Sequence, residues 1–123
     1  MDGPEKVSER LVSLLNAGDI DAVVALYEDD AVFADLDGAV RGPDAVRFAH
    51  KEFAESGYVL ALDRPVAFEA GDIALVHWSW TVTRPDGSLI EGVSAEVLRR
   101  QPDGQWKYVI DNSDGSAVLG RGK

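Results

Sequence analysis

From Tyr58 to Ser113 the chain is written almost entirely in period two. Four β-rich runs, Tyr58 to Glu69, Ile73 to Arg84, Ser88 to Arg100 and Gln105 to Ser113, are separated by Ala70-Gly71-Asp72, Pro85-Asp86-Gly87 and Pro102-Asp103-Gly104. Those breaks have the chemistry of hairpin turns, so consecutive runs must lie antiparallel. Strands of this length twist and curl, and the expected product is a curved meander whose concave face can enclose a ligand.

The N-terminal half has a different period. Pro4 stands at a first helical turn, and Val7, Leu11, Leu14 and Leu15 make one apolar face before Gly18 ends it. Asp19 caps a second helix with Ile20, Val23, Val24 and Tyr27 on one stripe, stopped by Glu28-Asp29-Asp30, whose charge opposes the macrodipole of a helix C-terminus. Ala31 to Ala34 reads as a short strand and Asp37-Gly38 as a turn. Gly42-Pro43-Asp44 opens a third helix with Val46, Ala49, His50 and Phe53 on its inner face, closed by Gly57. Helices covering one face of a curled sheet make an α+β cone. A chain of 123 residues supports one such domain, here 1–123 with its core at about 5–114 and a glycine-rich tail, 115–123, expected to fray.

Composition narrows the partners. The formal net charge of −10 repels nucleic-acid phosphates and anionic lipid. With no Cys, thiolate chemistry and thiolate metal sites are excluded, and two distant histidines make no metal site. Gly-x-Gly motifs do not open a helix after a strand, so no nucleotide cofactor is expected. An N-terminus without an apolar stretch and the lack of any long apolar run give no membrane span and a cytoplasmic default.

Over roughly residues 5 to 114 the chain resembles the superfamily of nuclear transport factor two, ketosteroid isomerase and SnoaL-like polyketide cyclases. The resemblance is carried by Ala17-Gly18-Asp19-Ile20-Asp21, by Tyr27-Glu28-Asp29-Asp30-Ala31-Val32-Phe33, by Gly38 with Val40-Arg41-Gly42-Pro43-Asp44-Ala45, and by the closing Arg99-Arg100-Gln101-Pro102-Asp103-Gly104-Gln105-Trp106. It implies a cone-shaped sheet with three N-terminal helices. It does not imply one reaction, because the superfamily holds isomerases, cyclases, dehydratases, epoxide hydrolases and binding modules.

Against a ketosteroid isomerase, the resemblance puts Asp35 at the general base and Glu96 at the protonated acid that donates to a developing oxyanion, a logic familiar from that enzyme. The oxyanion-hole tyrosine falls on Leu11, which has no donor and argues against a steroid mechanism. Tyr27 matches a supporting tyrosine whose usual partner is replaced by His50.

Family register turns Lys107, Val109, Asp111 and Ser113 to the concave side, making Asp111 a second acid/base group, as in epoxide-hydrolysing relatives. It also turns His77, Ser79 and Thr81 inward, His77 being a polar partner with a pKa suited to proton transfer. The catalytic candidates are thus Asp35, Glu96, Asp111 and His77, and the ligand contacts Tyr27, Ser79, Ser94, Val109 and Ser113. Trp78, Trp80 and Val82 then stand on the convex face and mark a homodimer surface. If the faces are inverted, the tryptophans instead wall the pocket. The function expected is acid/base chemistry, without a cofactor, on a small apolar molecule in the cone; the alternative is a ligand-binding or dimerisation module of the same fold.

Overall fold

The computed structural model describes residues 3–35 and 38–114, Asp35 by its backbone alone. The elements are α1 (Glu5–Ala17), α2 (Ile20–Val24), β1 (Tyr27–Asp35), β2 (Gly38–Arg41), α3 (Pro43–Glu55), β3 (Val59–Ala70), β4 (Ile73–Thr83), β5 (Leu89–Arg100) and β6 (Trp106–Asn112). They form one six-stranded sheet in the order β2-β1-β6-β5-β4-β3. The helices pack across its concave side, on a core built from Val7, Leu11, Val23, Val46, Leu98 and Tyr108.

The four strands of the meander fall where alternation and turn chemistry place them. The N-terminal half departs in two respects. The second helix stops at Val24, and Tyr27 opens β1, so Glu28, Asp29 and Asp30 extend a strand that begins earlier than Ala31. A five-residue helix capped by Asp19 gains little cooperative stability, and Tyr27 is better used beside Tyr108, with which it pairs in parallel register. That β1–β6 pairing makes the sheet mixed, though every other neighbour is antiparallel. Gly38, expected in a turn, starts β2, while Leu36, Asp37 and the tail 115–123 lie outside the described residues.

Two irregularities curl the sheet. In β3 the register shifts between Asp63 and Val66, across Arg64-Pro65, and Arg64 takes a positive φ of 23°. Proline is tolerated there because β3 is an edge strand and a bulge needs no donor at that point. In β6, Tyr108 faces Leu98 while Ile110 faces Val97, so Val109 is an extra residue without a partner. Up to Tyr108 the even-numbered side chains of β6 point inward; beyond Val109, Asp111 and Ser113 do.

Helix α1 is tied to the edge strand by one side chain. Asn16 donates from Nδ2 to the Leu60 carbonyl at 2.7 Å and accepts from the Leu60 N–H at 2.9 Å.

Gly92 lies opposite Trp80 in the β4–β5 ladder, and a Cβ there would overlap the indole ring. Gly92→Ala should therefore displace Trp80 and lower unfolding stability by about 1–3 kcal/mol, the cost of overpacking a filled space; denaturant melts with tryptophan fluorescence check both effects.

Candidate functional site

The concave face encloses a cavity of about 970 Å³, large enough for a drug-sized molecule. Its walls are apolar and aromatic, from Leu11 of α1, Phe53 of α3, Leu60 of β3, and Trp78, Trp80 and Val82 of β4. Glu96 and Asp111 face one another across β5 and β6 at its floor.

These two carboxyl groups are almost sealed from water, Glu96 being 0% and Asp111 3% exposed. Glu96 accepts from Ser8 Oγ at Oε1 (3.1 Å) and from the Trp78 indole N–H at Oε2 (2.7 Å). Ser8 in turn accepts from the Tyr108 hydroxyl at 3.4 Å. Asp111 accepts at Oδ2 from the Tyr27 hydroxyl at 2.5 Å. The two carboxyl groups are direct neighbours across the β5–β6 ladder.

Burial pushes the Glu96 carboxyl well above the usual carboxylate range, and the Asp111 charge adds to that, against the indole and serine donors. Burial also raises Asp111, while the Tyr27 hydroxyl, His50 and the neighbouring Glu96 oppose the rise. Burial thus pushes both carboxyl groups upward, Glu96 the more strongly, and two such neighbours in a dry site disfavour being charged together.

His50 extends the row. Its Nδ1–H donates to the Val46 carbonyl at 2.9 Å and its Nε2 lies 3.2 Å from the Tyr27 hydroxyl. Burial lowers its pKa and favours the neutral ring. His50, Tyr27 and Asp111 thus form a row of polar contacts at the cavity floor, with Glu96 beside Asp111.

The candidates read from the sequence divide accordingly. Glu96 and Asp111 come together, and Ser94 and Ser113 line the same cavity. Tyr27 lies behind Asp111 and contacts it without lining the cavity. His77 and Ser79 are on the opposite face of β4, His77 against Phe68 with ring centroids 6.4 Å apart. Val109 is the bulged residue and does not line the cavity. Lys107, before the bulge, stands on the Arg99 side of the sheet. Asp35 ends β1 with its backbone opposite Gly38; its side chain lies outside the described residues.

The face of β4 is thus the reverse of the one first assigned. Trp78 and Trp80 wall the cavity, because Val76 pairs with Glu96 and Trp78 with Ser94, so all share the inward side. Sequence reasoning missed Ser8, one turn before Leu11, and treated His50 as packing.

The model of the SnoaL-like domain family matches residues 8–109. The chain belongs to the SnoaL-like domain family. An NTF2-like protein with a cystatin-like fold from Novosphingobium aromaticivorans is similar to this member at 25% identity, covering 95% of this chain and 84% of its own, with a TM-score of 0.75. Aln2 from a Streptomyces species shares the fold over 100% of this chain and 99% of its own, at 17% identity and a TM-score of 0.77. A ketosteroid isomerase-like protein from Erwinia carotovora atroseptica does so over 88% and 89%, at 23% identity and a TM-score of 0.66. No curated protein matches the sequence. Among the described residues no helix is long and apolar enough to cross a membrane, and no three His, Asp or Glu side chains gather to hold a metal.

The raised Glu96 pKa has a consequence for stability. A carboxyl that keeps its proton when folded but loses it above about pH 4.3 when unfolded makes folding take up a proton, so stability falls as pH rises through that window. Denaturant midpoints measured between pH 5 and 8 should decline in the wild type. In Glu96→Gln, which mimics the protonated acid, they should be flatter, and an unchanged slope would place the proton elsewhere.

Proposed function

We propose that this SnoaL-like protein is an acid/base enzyme that moves a proton on a small, largely apolar molecule held in the cone, in a reaction of the isomerase, cyclase, dehydratase or hydrolase type. The observation that carries the reading is the pair of buried carboxyl groups, Glu96 opposite Asp111, at the floor of an aromatic-walled cavity. Asp111 is the base that accepts the ligand's proton. Glu96 is the acid of the pair: burial and the neighbouring Asp111 favour its protonated form, while Ser8 and Trp78, donating to its two oxygens, fix the carboxyl in place. Asp35 is the further base that the family resemblance implies. Proton transfer of this kind needs proximity and matched acid and base groups, with no cofactor to supply them.

Turnover of enones, epoxides and polyketide-like compounds, followed by mass spectrometry, tests the reading. Asp111→Asn should lower turnover of any substrate found by about 10² or more, the usual share of a general base. Loss in Asp35→Asn with full activity in Asp111→Asn would transfer the base to Asp35. The second reading, a ligand receptor without catalysis, is favoured by the complete burial of Glu96, both of whose oxygens are already bonded; tight binding across the panel with no product would establish it.

The convex face supports a homodimer. Val66, Phe68, Leu75, Val93 and Ile110 are exposed there, Phe68 at 61%, forming an apolar surface that soluble monomers seldom leave open. Leu75→Glu should shift the protein to monomer in light scattering; a wild type already monomeric at about 100 times the concentration of a micromolar dimer's Kd, where association would be nearly complete, overturns this assignment.

A further inference from the structure

The charge at the cavity mouth goes beyond an apolar ligand and, resting on the reading of the cavity as a ligand site, specifies its class. Asp44, Phe48 and Glu52 recur at every fourth residue of α3, occupy one helical face, and all line the cavity. All three are exposed, Phe48 at 66%, so they stand at the rim. The cations of this helix are engaged elsewhere, Arg47 with Asp21 and Lys51 with Glu55. Among the described residues no Lys or Arg lines the cavity, and its one histidine, His50, is held toward neutrality by burial.

An acid–aromatic–acid stripe repels a carboxylate or phosphate and attracts an organic cation, which gains from the carboxylates and from the face of the ring between them. We infer that the ligand is an amine, protonated at neutral pH, whose ammonium group sits at the mouth against Asp44, Phe48 and Glu52 while its apolar body fills the cavity.

The test uses three molecules of one shape: 1-adamantanemethylamine, 1-adamantanemethanol and 1-adamantanecarboxylate. Binding is read at pH 7 from the intrinsic tryptophan fluorescence, to which the cavity-lining Trp78 and Trp80 contribute, and by calorimetry. The ammonium compound should bind about 10-fold tighter than the alcohol and the carboxylate weakest, with the preference shrinking as salt is raised. In Asp44→Asn/Glu52→Gln, two exposed positions outside the carboxyl pair, the amine should lose its advantage while the alcohol binds as before. An alcohol that binds as well as the amine, or a preference that survives the double substitution, overturns the inference and leaves the cavity reading standing. Failure of all three to bind at millimolar concentration overturns both.

Discussion

One unpaired residue, Val109, determines what the cavity floor can do. The hairpin through Pro102-Asp103-Gly104 aligns Leu98 with Tyr108, and without the bulge Ile110 would lie opposite Glu96. The extra residue shifts the ladder by one and turns Asp111 inward instead. Two carboxyl groups then meet in a place that disfavours charge on both, and the strongly raised pKa of Glu96 follows from that burial and that meeting, while His50 is held toward neutrality by its own burial, against the pull of Asp111. A buried pair like this costs stability unless its lone pairs are occupied, and Ser8, Trp78 and Tyr27 come from three different elements to occupy them.

The hydrophobic shell makes those bonds strong. Trp78 has two functions at once, its ring walling the cavity and its N–H holding Glu96. Gly92 gives Trp80 room to lie flat against β5, and the Trp80 N–H reaches the Ser113 carbonyl at 2.6 Å, fastening the end of β6 to the wall. Packing and polar chemistry are therefore not separable here: moving either indole loosens both the wall and the floor.

Much of the fold was legible because the meander is governed by local signals, alternation and turn residues. Tyr27 was misread because a helical stripe and the first residue of a strand look alike over so short a span, and only the distant pairing with Tyr108 decides between them. The face of β4 was recoverable. A hairpin closed by Arg84 and Ser88 sets even residues of β4 against even residues of β5, so an inward Glu96 carries Val76, Trp78 and Trp80 with it. The bulge in β6 leaves no such mark, since Lys107-Tyr108-Val109-Ile110 alternates as smoothly as any regular strand. Register borrowed from relatives consequently holds for Asp111 and Ser113 and fails for Lys107 and Val109. Ser8 was invisible for a related reason: a small hydroxyl on a helix acquires meaning only from a partner 88 residues away.

The amide of Asn16 has an effect beyond fastening a helix. Leu60 turns its N–H and carbonyl away from β4, toward the open side of the sheet, and Asn16 occupies both as another strand would. With Arg64-Pro65 bending the same border out of line, β3 offers no straight template for a further chain, and β2, at the other border, is four residues long. Sheet growth by border addition is thereby disfavoured at both ends, which matters for a chain whose convex face leaves so many apolar side chains open to water.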